Sequence, residues 1–78
     1  MWVELRTEKR GYSLSVDRDL LGDYVLQRRW FGLSNKRGGR KTSIFSSEEA
    51  AIKVAQRIAR RRAIHGYVPV ARSSDGLF

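Results

Sequence analysis

One segment limits the folds open to this chain more than any other. Residues 46–66 read as a single amphipathic helix. Ser46-Ser47-Glu48-Glu49 has the form of a capping box: Ser46 can accept from the amide of Glu49 while Glu49 reaches back. Phe45 stands where a hydrophobic staple would meet Ala50. The two glutamates lie in the first turn and Arg60, Arg61 and Arg62 near the last, both favourable to the helix dipole. Gly66 is placed to close the helix. On a helical wheel Ala51, Ile52, Val54, Ala55, Ile58 and Ala59 fill one arc, and Lys53, Arg57, Arg60 and Arg61 fill the opposite one. Arg62 falls on the apolar side near the end, where its stem can snorkel. A lone helix with one apolar face cannot close a core on itself. It needs a sheet to lie on, and the alanines at the centre of its apolar arc allow a close approach.

The strands precede it. Residues 2–7 alternate, with Val3 and Leu5 on one side and Glu4 and Arg6 on the other; Trp2 reads as a lid on the core. Tyr12-Ser13-Leu14-Ser15-Val16 is a clean alternation with Tyr12, Leu14 and Val16 inward. Residues 17–23 form a loop in which Asp17 and Asp19 suit turns, Leu20 and Leu21 tuck under the sheet and Gly22 allows positive φ. In residues 24–30, Tyr24, Leu26, Arg28 and Trp30 share one face, so the strand leaves the core and surfaces near Trp30. Residues 34–39 read as a turn with two adjacent glycines, and residues 40–45 return as the fourth strand. Hairpin-length connections favour antiparallel order. The expected fold is α+β, a mostly antiparallel four-stranded twisted sheet with one C-terminal amphipathic helix packed on one face. Residues 1–67 make the domain. Residues 68–78 make an extended or flexible tail, because Pro69 disfavours helix at Val68 and residues 71–78 carry Ser, Asp and Gly.

A chain of 78 residues is one small domain, whose core is marginal and uses every apolar side chain. Hydrophobic residues make up 41%, enough to exclude disorder. The absence of cysteine removes disulfides and thiolate metal sites, and the lone His65 cannot build a zinc site by itself. No apolar run approaches the roughly 20 residues that cross a membrane. Met1-Trp2-Val3-Glu4 lacks the blocks of a signal peptide, so a cytoplasmic location is expected.

Charge is the loudest global property. The formal net charge is +8, and it is unevenly placed. Residues 28–62 hold eleven Lys or Arg against two Glu, and the rest of the chain is close to neutral. Within that half, residues 28–41 gather Arg28, Arg29, Lys36, Arg37, Arg40 and Lys41 around the aromatic pair Trp30-Phe31 and the Gly38-Gly39 turn. Such asymmetry suggests a polyanionic partner, nucleic acid above all, and the alternative is a solvated basic surface. Arginine pairs with phosphate bidentately, glycine-rich turns admit phosphate to backbone amides, and an exposed indole stacks on a base or sugar. Trp30 reads equally as core or as contact, and an indole can be both.

Catalytic chemistry is not visible. The serines sit in strands, turns and a cap, none of them in a nucleophile elbow. Gly38-Gly39-Arg40-Lys41 lacks the spacing and following helix of a P-loop. Asp17, Asp19 and Asp23 lack the spacing of a calcium loop. His65 reads as a capping or surface residue. The chain is therefore expected to be a non-catalytic module that needs no cofactor, metal, small-molecule substrate or membrane.

The same residues carry a likeness to a known family. The Tyr12-to-Val16 strand, Leu21-Gly22-Asp23-Tyr24, Arg29-Trp30, the basic Gly38-Gly39 turn, Phe45 before the cap, the Ala-rich helix with its Arg run and Gly66-Tyr67 follow one another as in the WGR domain. The likeness runs from about Val3 to Tyr67, with the small bacterial stand-alone branch as the nearer type. It implies a twisted antiparallel sheet with a helix on one face and a nucleic-acid-binding role. In the family's polymerase relatives the motif tryptophan packs at a DNA end, a role that falls on Trp30. Where the family reads Trp-Gly-Arg this chain reads Trp30-Phe31-Gly32, either by insertion of Phe31 or by substitution at both positions. The motif arginine is missing in both cases, and Arg29, Arg37 or Arg40 would have to take its contacts. The expected ligand is double-stranded DNA or its ends, bound by Trp30, Arg28, Arg29, Lys36, Arg37, Arg40 and Lys41, with Arg57, Arg60 and Arg61 as a second basic strip. The rivals are an acidic protein partner, or RNA or poly(ADP-ribose).

Overall fold

The computed structural model describes all 78 residues. Strands β1 (Trp2–Arg6), β2 (Arg10–Arg18), β3 (Tyr24–Gly32) and β4 (Gly38–Phe45) lead into helix α1 (Glu48–Ile64), and β5 (Val68–Arg72) follows. All pairings are antiparallel, in the order β4-β3-β2-β1-β5. The sheet thus has five strands rather than four. Residues leaving α1 return to pair with β1 instead of trailing away. Pro69 is tolerated because β5 is an edge strand, and the register shifts between Glu4 and Leu5, where the ladder is already irregular.

The core lies between one face of the sheet and α1. Val3, Leu5, Tyr12, Leu14, Val16 and Leu26 are buried from the sheet side, and Ala51 and Ala55 meet them from the helix. The two alanines are fully buried, so the helix backbone lies close on β2 and β3. The helix begins one residue later than the capping-box reading. Ser47 is the N-cap, and its Oγ accepts from the amide of Ala50 at 3.3 Å. Phe45 is still paired with Tyr24 at the end of β4, so Ser46 is spent on the turn between strand and cap. With Ser46 preceding the cap, Phe45 is not the staple; it packs on the core from β4. At the other end Gly66 has φ +87°, and the amides of Gly66 and Tyr67 donate to the carbonyls of Ala63 and Arg62, which is a Schellman closure.

Two other expectations fail. Leu20 and Leu21 do not tuck under the sheet; they stand 104% and 88% exposed. The Asp19 carboxylate accepts from the amides of Leu21 and Asp23, both at 2.9 Å, and this tight turn projects the leucines outward. Trp2 is not a lid. Its register partner is Ser15, so it lies on the face away from α1. The C-terminal residues fold back as well. Gln56 donates to the carbonyl of Leu77 at 2.7 Å, and Phe78 packs on the core. The Leu77 amide holds the Asp75 carboxyl below its ordinary range, helped by Ser73 and the Met1 amino group against a smaller effect of burial.

Candidate nucleic-acid interface

Trp30 and Phe31 are consecutive residues of an extended strand, so they point to opposite faces of the sheet. The β2–β3 ladder pairs Tyr12 with Trp30 and Gly11 with Phe31; the β3–β4 ladder pairs Trp30 with Gly39 and Phe31 with Gly38. Gly38 and Gly39 are therefore strand residues, not the turn. Each ring needs a glycine beside it. A Cβ on Gly39 would stand 2.8 Å from Cζ2 of Trp30, and one on Gly11 would stand 2.2 Å from the Phe31 ring.

On the α1 side the rings form a staircase from core to solvent. Tyr67 meets Tyr12 edge-on with centroids 6.2 Å apart, and Tyr12 stacks on Trp30 at 6.2 Å with planes 21° apart. Tyr12 is buried, whereas Trp30 keeps 40% of its surface exposed. The indole is thus an exposed ring that meets the core through Tyr12. Arg62 comes down from the last turn of α1 and sets its guanidinium 4.6 Å from the centre of the Tyr12 ring. A cation over an aromatic face is worth about 0.5–1 kcal/mol when exposed and about 2 kcal/mol when desolvated, and half-buried Arg62 stands between the two. These side chains open onto a cavity of about 630 Å³ at the end of the sheet, whose cations are Lys9, Arg10, Arg28, Arg37 and Arg62. No carboxylate lines it.

The hairpin loop forms one wall of this cavity and is pinned on both sides. Gly32 donates to the carbonyl of Arg37 at 2.9 Å, Leu33 donates to the carbonyl of Lys9 at 3.0 Å, and the Arg37 amide donates to Asn35 Oδ1 at 2.9 Å. The loop is thereby tied to the β1–β2 turn.

A family model described as the WGR domain matches residues 4–74 of the 78. The chain belongs to the WGR family. Members of this family are generally nucleic-acid-binding modules. No match is found among curated proteins or among solved structures. The ladders bear on the motif of this WGR domain. They run through Trp30, Phe31 and Gly32 with no bulge against β2, and through Trp30 and Phe31 with none against β4. The strand is therefore regular through the segment Trp30-Phe31-Gly32, which stands where the family reads Trp-Gly-Arg.

The residues singled out in the sequence of the WGR domain divide between three places. Arg28, Trp30 and Arg37 line the α1-side cavity. Lys41 pairs with Arg28 across β3–β4 on that same side. Arg29, Lys36 and Arg40 line a second concavity around the hairpin, which Trp30 and Arg37 also border, and Phe31 borders both. Arg57, Arg60 and Arg61 are exposed on the outer face of α1 and line neither. Sequence reasoning missed Lys9, Arg10, Tyr12 and Arg62 as members of the site. The signal for Arg62 was its place on the apolar arc of the helix, which brings it to the sheet.

Electrostatically the WGR domain leaves most of its cations free. Among side chains only Arg6–Glu4 and Lys53–Glu49 form ion pairs. Two successive rungs of the hairpin oppose like charges, Arg28 with Lys41 on one face and Arg29 with Arg40 on the other. Nε of Arg28 and Nε of Arg62 are buried without a hydrogen-bond partner. A buried, unsatisfied cationic donor is costly, and an anion beside it removes the cost. No cluster of three or more His, Cys, Asp or Glu side chains is present.

Proposed function

We propose that this WGR domain binds double-stranded nucleic acid, DNA at duplex ends above all, through the cavity on the α1 side of the sheet. One observation carries the reading: a half-exposed indole stacked on a buried tyrosine at the mouth of a cavity that holds five cations and no carboxylate. Trp30 offers its free face to the terminal base pair or sugar. Arg28 and Arg62, which line the cavity and form no ion pair, offer positive charge to phosphate, and Arg10, Arg37 and Lys41 add to it. Arg62 supplies from the helix a cation that the motif lacks at Gly32. The second strip, Arg57, Arg60 and Arg61, meets the backbone only if the duplex passes around the end of α1.

Binding of this kind is steep in salt and tolerant of sequence, because phosphate contacts dominate. With about four to six phosphates engaged, the log–log slope against salt should be about −4 to −5 on a blunt duplex. Fluorescence anisotropy of a labelled duplex across a salt series measures it. Trp30→Ala should weaken binding by about fivefold to a hundredfold while the fold survives, the range expected for one lost aromatic stack. A flat salt dependence, or a folded Trp30→Ala domain that binds unchanged, overturns the reading.

A further inference from the structure

The face of the sheet turned away from α1 carries a second surface. No element covers it: the helix lies on the other side, and Leu77 and Phe78 fold back there too. Its rungs can be read across the strands. The outermost is Gly38–Phe31–Gly11–Arg6, and the next is Arg40–Arg29–Ser13–Glu4. The third is Thr42–Gln27–Ser15–Trp2.

Phe31 has a glycine on each side, and its ring occupies the space a side chain on Gly11 would need. The ring is half-buried, and the exposed Arg29 guanidinium lies over it, 5.3 Å from its centre, so the surface offered to solvent is a planar cation backed by an aromatic ring. Arg40 opposes Arg29, and Lys36 stands on the hairpin loop beside them; none of the three has a carboxylate within ion-pair distance. The acids of this face are Glu4, engaged by Arg6 at 3.2 Å, and Asp17 at the opposite end of β2. Beyond the arginines lies a row of hydroxyl and amide side chains, and Trp2 closes it with 44% exposure.

We infer that this face binds a single strand of nucleic acid, with a base stacked on Phe31 and Arg29 and the phosphates running past Arg29, Arg40 and Lys36. Charge complementarity selects a polyanion, and the Arg29–Phe31 platform selects its form. A base inside a duplex has both faces occupied by its neighbours, whereas an unpaired base offers one to a guanidinium held over a ring. The inference does not rest on the duplex reading. Trp30, Phe31 and Arg37 border both concavities, but Arg29, Arg40 and Lys36 line only the second, so it stands if the Trp30 cavity takes another ligand.

The test compares labelled oligo-dT, oligo-U and a blunt DNA duplex of equal length by fluorescence anisotropy at one low salt concentration. The readout is the single-strand affinity and its ratio to duplex affinity; where the duplex does not bind, the single-strand affinity alone carries the test in place of the ratio. Phe31→Leu keeps an apolar cover over Gly11 and removes the ring that backs Arg29; it should lower that ratio about tenfold. Trp30→Ala should raise it. Loss for oligo-dT and oligo-U alike identifies stacking and phosphate as the shared chemistry; loss for one alone names the 2′-hydroxyl or the thymine methyl, which oligo-dU separates. If Phe31→Leu does not fold, Arg29→Ser on the exposed surface carries the test, together with amide shifts of Ser13, Ser15 and Gln27 on adding oligo-dT to the unaltered domain. An unchanged ratio in folded Phe31→Leu, or in Arg29→Ser where that variant carries the test, overturns the inference. So do single-strand shifts confined to the Trp30 cavity.

Discussion

A Cβ on Gly39 would meet the Trp30 ring, yet Gly39 has no left-handed backbone angle that requires glycine. Its smallness serves the indole. Gly39→Ala should therefore leave the fold intact and displace the half-exposed ring from Tyr12. In a Trp2→Phe background the emission of Trp30 should shift to the red and duplex affinity should fall. Gly38→Ala differs, since its Cβ would stand 2.5 Å from the backbone oxygen of Trp30. Backbone cannot swing aside, so stability should drop by about 1–3 kcal/mol, the usual cost of overpacking, as read by chemical denaturation. Equal losses in the two variants would contradict this assignment. At this scale the sequence was legible in part. Alternation along β3 was enough to bring Trp30 out of the core beside Arg28. It could not show that Tyr12 lies beneath the indole, because that contact depends on the β2–β3 register. Nor could a helical wheel show Arg62 over Tyr12: a wheel gives the side of a helix and not the partner across the gap.

Elements were read from sequence in the order of their local signals. The helix was plain, because its periodicity, acidic start and glycine stop agree. Its first residue was not, because Ser46 and Ser47 are chemically the same cap and only the length of β4 chooses between them. The choice is measurable. Ser47→Ala should cost about 1 kcal/mol in a denaturation midpoint, as caps usually do, and Ser46→Ala only a small fraction of that. Strand β5 was the element least visible beforehand. It is five residues long, contains Pro69 and has no buried side chain, so neither alternation nor propensity marks it. It exists because β1 offers an unpaired edge at the point where Gly66 and Tyr67 turn the chain back. Loop 19–23 misled for a related reason. Two leucines in a row read as core, and the hydrogen bonds to the Asp19 carboxylate outweigh them locally.

For the molecule as a whole, the net charge of +8 resolves into three fields: the Trp30 cavity, the Phe31 face and the outer face of α1. The first two share the β3–β4 hairpin, which holds Arg28 against Lys41 and Arg29 against Arg40. Like charges placed directly opposite weaken a ladder by an amount on the order of 0.2–1 kcal/mol per pair. In thermodynamic terms this is linkage: the unliganded domain carries a repulsion that a bound polyanion discharges. Amide hydrogen exchange should expose it. Protons of Gly39, Arg40, Lys41 and Thr42 should exchange faster in the free domain than those of the central strand β2, and should slow the most when a duplex or single strand is added. A uniform slowing across the sheet would mean that the hairpin was never the weak part. The same two rungs that fit the domain for a polyanion therefore make β4 a reporter of occupancy, and charge-neutralising changes there should raise stability as they lower affinity.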